Sequence, residues 1–339
     1  MRAMVLRVPG PIQSSPLEIE NVAEPKPGTN QILVRVSACG ICHTDLHTVE
    51  GELELPVRPI IPGHQIVGTV EAVGPVNALP ASSSGFRIGD RVGIPWLNST
   101  DGTCRFCRSG RENLCEHARF TGLHVNGGYA EYTVVDRQFA YPLTAGRSDV
   151  ETAPLLCAGI IGLRALRLSR TQPGGRLGLF GFGASAHIAL QIAKYWGCRV
   201  FVFTRGMEHR RLAITLGADW AGGGTDTPPE RLDSAVVLAP VGELARVALK
   251  HLDRGGTVAM AGIHSTPIPE IEYRSIYHER AITSVANSTR EDARELLQLS
   301  AKAPIKTEVE VFRLEDANRA LQLLKAGKIR GAAVLELSV

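Results

Sequence analysis

No stretch of this 339-residue chain approaches the ~20 consecutive apolar residues that a bilayer-spanning helix needs. Its opening, MRAMVLRVPGP, has too short an apolar run for a secretion signal. No membrane association and a cytoplasmic location are therefore expected. An excess of one charge is also missing. The 37 Lys and Arg face 34 Asp and Glu, for a formal net charge of +3. That balance gives no reason to expect nucleic acid, a membrane surface or an acidic polymer as partner. There is no internal repeat and no low-complexity tract. A disulfide framework is not indicated either. The seven Cys are odd in number and several cluster at short spacing, which in a reducing compartment reads as metal ligands or catalytic thiols. What is there is a globular composition, 44% hydrophobic and 21% charged. The length is too great for one ordinary core, so two domains are expected.

The character of the chain changes near residue 151. Before it, short apolar or alternating runs such as Gln31–Ala38, Ile66–Val73 and Tyr132–Val135 lie between Gly and Pro clusters, and loops dominate from Asn98 to Gly128. After it, strands alternate with helices. Strands are predicted over Arg176–Phe180, Arg199–Thr204, Ala235–Ala239 and Thr257–Gly262. Helices are predicted over Ala184–Trp196, Met207–Leu216 and Gly242–Leu252, the first two ended by Gly197 and Gly217. That alternation means βαβ units and a parallel sheet. Beyond residue 287 come a helix (Arg290–Ser300), a short strand, a second helix (Leu314–Ala326) and a final strand (Ala332–Leu337), a tail able to pack back on the first domain.

The segment Gly181-Phe182-Gly183-Ala184-Ser185-Ala186 ends one strand and opens the next helix, where a dinucleotide-binding loop belongs. Gly181 permits the turn, Gly183 admits the pyrophosphate, and the helix start offers free N–H groups and a positive dipole end. Ala186 stands where a third glycine would be and still allows close helix–strand packing. The next strand ends Phe203-Thr204-Arg205, with no carboxylate to hold a ribose 2′-hydroxyl. A guanidinium at Arg205, helped by the Thr204 hydroxyl, suits a 2′-phosphate, so NADP is favoured over NAD. The alternative is that Arg205 is a solvated loop residue.

Three segments carry metal-ligating side chains: Cys39-Gly40-Ile41-Cys42-His43-Thr44-Asp45-Leu46-His47, Pro62-Gly63-His64-Gln65 and Ala153-Pro154-Leu155-Leu156-Cys157. Alone, none is proof. An isolated Cys is most often a small buried hydrophobe. In this order, and followed by the nucleotide loop, they make the chain resemble the zinc-containing alcohol dehydrogenases of the medium-chain dehydrogenase/reductase family over essentially its whole length.

The resemblance implies an α/β protein. A GroES-like, β-rich catalytic domain would take residues 1–152 and 287–339. A Rossmann domain with a doubly wound parallel sheet would take 153–286. It further implies a catalytic zinc on Cys39, His64 and Cys157, with a fourth position left for substrate oxygen. Asp45 would orient His64. Thr44 would take the alcohol proton and His47 would pass it on. His43 would face the cofactor pyrophosphate, and Cys42 would be a bystander. Trp96 matches a pocket-lining position, the alternative being ordinary core. Zinc has no redox chemistry, so the hydride must pass to the nicotinamide.

Two departures stand out. Where the family usually has Glu after the ligand His, this chain has Gln65, which supplies no charge. And Asp101, Cys104, Cys107 and Cys115, spaced D-x2-C-x2-C-x7-C, resemble the family's structural zinc lobe with Asp in place of the first Cys. Carboxylate oxygen is an acceptable zinc ligand, so two zinc ions per chain are expected. The alternative is a metal-free loop. Cys198, at the start of a predicted strand, is read as structural. The expected reaction interconverts primary aliphatic or aromatic alcohols and aldehydes. Rivals are polyol oxidation on the same fold and a zinc- and NADP-binding sensor with little turnover. A quinone or enal reductase would lack the zinc ligands. A homodimer or homotetramer is implied by resemblance alone.

Overall fold

A computed structural model describes residues 1–77 and 85–337. The chain divides into two units. The first comprises Met1–Cys157, Thr289–Leu297 and the C-terminal segment from Thr307; the second comprises Ala158–Ser288 and Gln298–Lys306. The division follows Cys157 rather than residue 152, and residues 298–306 go with the second unit rather than with the tail.

The first unit is built on the short alternating runs. Strands β1 (Arg2–Leu6) and β2 (Leu17–Asn21) pair antiparallel. The main sheet centres on β3 (Gln31–Ile41), which runs three residues beyond Ala38. It pairs antiparallel with β4 (Gln65–Val73), which leads on to β5 (Arg91–Ile94). Two short strands, β6 (Leu97–Ser99) and β7 (Arg119–Phe120), close the base of a long loop. Strand β8 (Tyr132–Asp136) also pairs with β3, and β9 (Tyr141–Pro142) pairs with β5. Helix α1 (His43–Glu50) follows β3 after a single residue and stops at Gly51, whose φ of +78° turns the chain away. Among the buried residues filling this unit are Val34, Val36, Cys39, Ile66, Ile94 and Tyr129.

In the second unit the apolar runs lie in a six-stranded parallel sheet. Helix α2 (Ala158–Leu168) leads into β10 (Arg176–Phe180), α3 (Ala184–Tyr195), β11 (Arg199–Phe203), α4 (Met207–Thr215) and β12 (Trp220–Gly222). Then come β13 (Leu232–Val237), α5 (Glu243–His251), β14 (Leu252–Met260) and β15 (Ala281–Ser284). The sheet order is β12-β11-β10-β13-β14-β15. The strands β10, β11 and β13 read as near-continuous apolar runs because helices cover both faces of such a sheet. Phe180 and Phe203 stack within its core at 4.1 Å. Cys198 is buried beside β11, as read.

The tail supplies α6 (Arg290–Lys302), β16 (Val309–Arg313), α7 (Ala317–Lys325) and β17 (Ala332–Glu336). Strand β17 pairs antiparallel with β3, setting Leu335 opposite Cys39, and β16 lies outside it. The last strand thus belongs to the sheet that carries the first motif. Among the described residues no helix is long and apolar enough to cross a membrane.

Candidate functional site

The longer reach of β3 decides which cysteine faces the metal site. Cys39 lies inside the strand, fully buried and paired across to Ile66 and Leu335. Its thiol points into the core, close enough that a Cβ on Gly63 or Gly128 would stand 2.8 or 3.0 Å from its sulfur. Burial pushes this thiol's pKa well up, and Cys39 is not in the group of ligand atoms that gathers around His64. Cys39 is therefore not brought to His64 and Cys157, contrary to the expectation from the motif. Cys42 is. It stands after the strand, at the N-cap of α1, and its sulfur lies with a nitrogen of His64 and the sulfur of Cys157 in a group whose ligand atoms are all within 4.8 Å of one another. Cys42 is thus no bystander.

Asp45, in the first turn of α1, holds this group together. One carboxylate oxygen accepts the Cys42 N–H at 2.8 Å. The other accepts the Gly63 N–H at 3.2 Å and lies 2.9 Å from His64 Nδ1. Asp45 and His64 are 2% and 1% exposed, so the imidazole is fixed as the Nδ1–H tautomer with its Nε2 lone pair turned away from Asp45. That Nε2 is buried and, among the described residues, has no hydrogen-bond partner. Burial opposes charge on His64, but the Asp45 carboxylate and the Cys42 sulfur raise its pKa to about 10. Cys42 is pulled well down, first by a hydrogen bond from Cys157, whose own thiol is pushed up in consequence. Left to protons, the trio would hold a thiolate against an imidazolium, so the pocket is built for positive charge. An orphaned imidazole nitrogen and two thiols suit Zn²⁺ with a fourth position open. Replacing Asp45 by Asn should weaken zinc binding about 10- to 100-fold in chelator competition; unchanged affinity would remove Asp45 from this role.

Other predicted residues gather here. The Thr44 hydroxyl lies 3.7 Å from the Cys42 sulfur. His47, on the last turn of α1, is buried with its Nδ1 against Glu52. His43 is exposed on the same helix. The Trp96 ring lies 6.0 Å from that of His64 and is partly exposed. Phe120, which the sequence reading missed, stacks on Trp96 at 4.3 Å, with His124 edge-on at 5.4 Å. Its position on β7, across from Leu97 next to Trp96, was hidden because the loop between them is so long. Gln65 is buried at the start of β4, packed against Gly40, where a Cβ would come within 2.9 Å.

The second cluster comes together as spaced. Asp101, Cys104, Cys107 and Cys115 have ligand atoms all within 4.8 Å of one another. One Asp101 oxygen accepts the Thr103 and Cys104 N–H groups at 2.8 and 2.9 Å, and the other faces His117 Nδ1 at 3.1 Å. These bonds hold its carboxyl far below the usual range. Cys104 caps the one-turn helix Arg105–Arg108, accepting the Cys107 N–H at 3.5 Å, which lowers its pKa; burial pushes Cys107 up to about 11.

In the second unit, Gly181 has a φ of +94°, and a Cβ there would stand 2.8 Å from the Ala239 nitrogen, so the turn requires glycine. Gly183 caps α3 and faces open space. Ala184 and Ser185 follow half-buried, while Ala186 is fully buried. The first turn of α3 thus offers N–H groups to an anion. At the end of β11, Arg205 is exposed, but Thr204 is buried at 7%. The Thr204 backbone is engaged on both sides: its N–H donates to Gly222 O, and its carbonyl accepts from Arg210 Nε, each at 2.9 Å. Arg210 was not singled out in the sequence because it lies a full turn into α4.

Two family models match the chain: an alcohol dehydrogenase GroES-like domain over residues 28–145 and a zinc-binding dehydrogenase domain over 184–302. A probable alcohol dehydrogenase of Mycobacterium tuberculosis is 49% identical over 99% of this chain and 97% of its own length. Among solved structures, acetophenone reductase from Geotrichum candidum in complex with NAD superposes with a TM-score of 0.86 at 26% identity, covering 99% of this chain and 96% of that one. A cobalt- and zinc-bound alcohol dehydrogenase from Pyrobaculum aerophilum gives 0.89 at 25% identity, covering 99% of each. With its motifs in order, its parallel sheet and its thiol–imidazole cluster, the chain belongs to the zinc-type alcohol dehydrogenases of the medium-chain dehydrogenase/reductase family, enzymes that work with a nicotinamide dinucleotide.

Proposed function

We propose that this alcohol dehydrogenase interconverts primary aliphatic or aromatic alcohols and their aldehydes, prefers NADP(H), and carries two zinc ions per chain. Cys42, His64 and Cys157 hold the catalytic ion; Asp101, Cys104, Cys107 and Cys115 hold the structural one. The observation that carries this reading is the buried, unpartnered Nε2 of His64, set by Asp45 to face two thiols. When bound, zinc supplies Lewis-acid polarisation of the substrate oxygen. Thr44 would receive the hydroxyl proton and His47 would carry it toward water; a nicotinamide dinucleotide at the loop from Gly181 to Ala186 would supply the hydride chemistry. Trp96 and Phe120 form an aromatic wall beside His64, which favours an apolar carbinol substituent over a polyol. Thr44 and His47 speak for turnover over a sensor role. Loss of benzyl alcohol and butanol oxidation on zinc chelation, restored by zinc, tests it; a chelator-insensitive rate or no turnover on either substrate refutes it.

Support for NADP(H) is the absence of a carboxylate after β11, with Arg205 exposed there and Arg210 anchored to the Thr204 carbonyl. Because Thr204 is buried, the cationic side chains rather than its hydroxyl carry the preference. Comparing kcat/KM for the two cofactors checks this. We expect Arg205→Asp to shift the ratio toward NAD by about 10- to 100-fold, one charge-assisted pair lost and one repulsion gained. A wild-type preference for NAD would overturn it. The protein is placed in the cytoplasm, where its seven free thiols stay reduced. A homodimer or homotetramer joined through the second unit fits its edge strand β15, which offers an unpaired edge.

A further inference from the structure

Directly after β8 the chain makes one turn of 3-10 helix, Arg137–Phe139. The turn is anchored at its start. Asp136 caps it, one carboxylate oxygen accepting the Gln138 N–H at 2.8 Å, and the Arg137 N–H donates to the Asn30 carbonyl at 3.0 Å, just ahead of β3. Val135, Phe139 and Ala140 on either side belong to the core. Arg137 shares their burial and is only 3% exposed. An arginine that deep normally has a partner, because an unpaired buried charge is costly. Yet its Nε and Nη2 are buried, and among the described residues neither has a hydrogen-bond partner. The charged groups around the turn are committed elsewhere. The Asp136 carboxylate caps the turn. Arg290 of α6 reaches Gln138 Oε1 at 3.4 Å and packs over the Phe139 ring at 5.1 Å, but it is paired with Glu112 at 3.1 Å.

The two unpartnered nitrogens share one edge of the guanidinium. Nε–H and the N–H of Nη2 beside it point the same way, and together they meet two oxygens of one group in a bidentate pair. We propose that Arg137 is an anion site of the first unit, its Nε–Nη2 edge taking one oxyanion, a carboxylate or a phosphate, in two parallel hydrogen bonds. A halide ion is a single point and does not match the fork. Because the side chain is almost enclosed, water screens the pair little, and each bond counts for more than it would on the surface. The site uses none of the metal-ligating residues and none of the nucleotide loop, so it is independent of the reaction assigned above. Its effect is on the folded state: an anion that binds only the native protein stabilises it by mass action.

Thermal unfolding of the zinc-loaded protein with NADPH bound tests this, at fixed pH and ionic strength, as sodium chloride is replaced by sodium phosphate or by sodium acetate. Wild type is compared with Arg137→Lys and Arg137→Met. The variants subtract any oxyanion taken up by the metal or nucleotide sites. At an oxyanion concentration of about fifty times Kd, the wild-type Tm should rise by about 4 °C more than that of Arg137→Met. Arg137→Lys keeps the charge but loses the fork, so it should show less than half of that extra rise. Titration calorimetry should find one more oxyanion per chain in the wild type than in Arg137→Lys, a comparison that stands even if Arg137→Met does not fold. A response to phosphate alone makes the ligand a phosphate, a response to acetate alone makes it a carboxylate, and either supports the site. Equal rises in wild type and both variants, or no rise with either anion, overturns it.

Discussion

Cys42→Ser should remove one zinc per chain and lower kcat/KM for alcohol oxidation by about a thousandfold or more, whereas Cys39→Ala should leave both unchanged. A metal Lewis acid contributes several kcal/mol to the transition state, and each 1.36 kcal/mol is a factor of ten. Ser in place of Cys42 offers a hydroxyl that does not ionise beside His64, so the pocket keeps one thiol and one imidazole. Two ligands are too few for a closed three-point grip. At Cys39 the consequence belongs to packing. Its sulfur sits against Gly63 and Gly128 in the core, so truncation leaves a small cavity worth about 1 kcal/mol, read as a few degrees of Tm. Metal analysis and steady-state kinetics on the two variants separate the positions. Retained zinc and turnover in Cys42→Ser, or loss of both in Cys39→Ala, would reverse the assignment.

Cys107→Ser should produce the other large effect, on stability more than on chemistry. The loop from Asp101 to Cys115 has little apolar core of its own. It is closed by the two-stranded β6–β7 pair and by the cluster of Asp101 and three cysteines. Structural zinc supplies folding free energy of about 10 kcal/mol in small domains that depend on it. Here the loss is confined to the loop, so a fall of several degrees in Tm and a drop from two zinc ions to one are expected. The damage should also reach the substrate wall, because Phe120 lies on β7 and stacks on Trp96 just before β6. KM for a bulky alcohol should rise more than kcat falls. Zinc content that stays at two, or a thermal transition that does not move, would mean that the cluster carries no ion.

Much of this was legible in the sequence, and the gaps have physical reasons. The βαβ half was readable because its strands are short apolar runs and the helices α3 and α4 end at glycines, so Arg176–Phe180 and the start of α3 fall where periodicity puts them. The Gly181 turn was legible because only glycine fits there. The metal trio was only partly legible. Its three segments hold the grouped residues, but the resemblance pointed to Cys39 and made Cys42 a bystander, whereas it is Cys42 that lies with His64 and Cys157. The choice depends on where β3 ends. The strand passes Ala38 and runs to Ile41, held from both sides by β4 and β17, and β17 comes from the far end of the chain. No local pattern contains that pairing. A signal was nonetheless present: Cys42 directly precedes the turn carrying Asp45, and Asp45 must reach His64. Phe120 and Arg210 were invisible for a similar reason. Each acts through a neighbour that the fold supplies, and neither stands inside a recognisable motif.

The most direct test is anomalous diffraction at the zinc edge from crystals of the purified protein. The account predicts two peaks per chain, one bonded by Cys42 Sγ, His64 Nε2 and Cys157 Sγ, the other by Asp101, Cys104, Cys107 and Cys115. A peak on Cys39, or density at His64 with neither thiol attached, would contradict it.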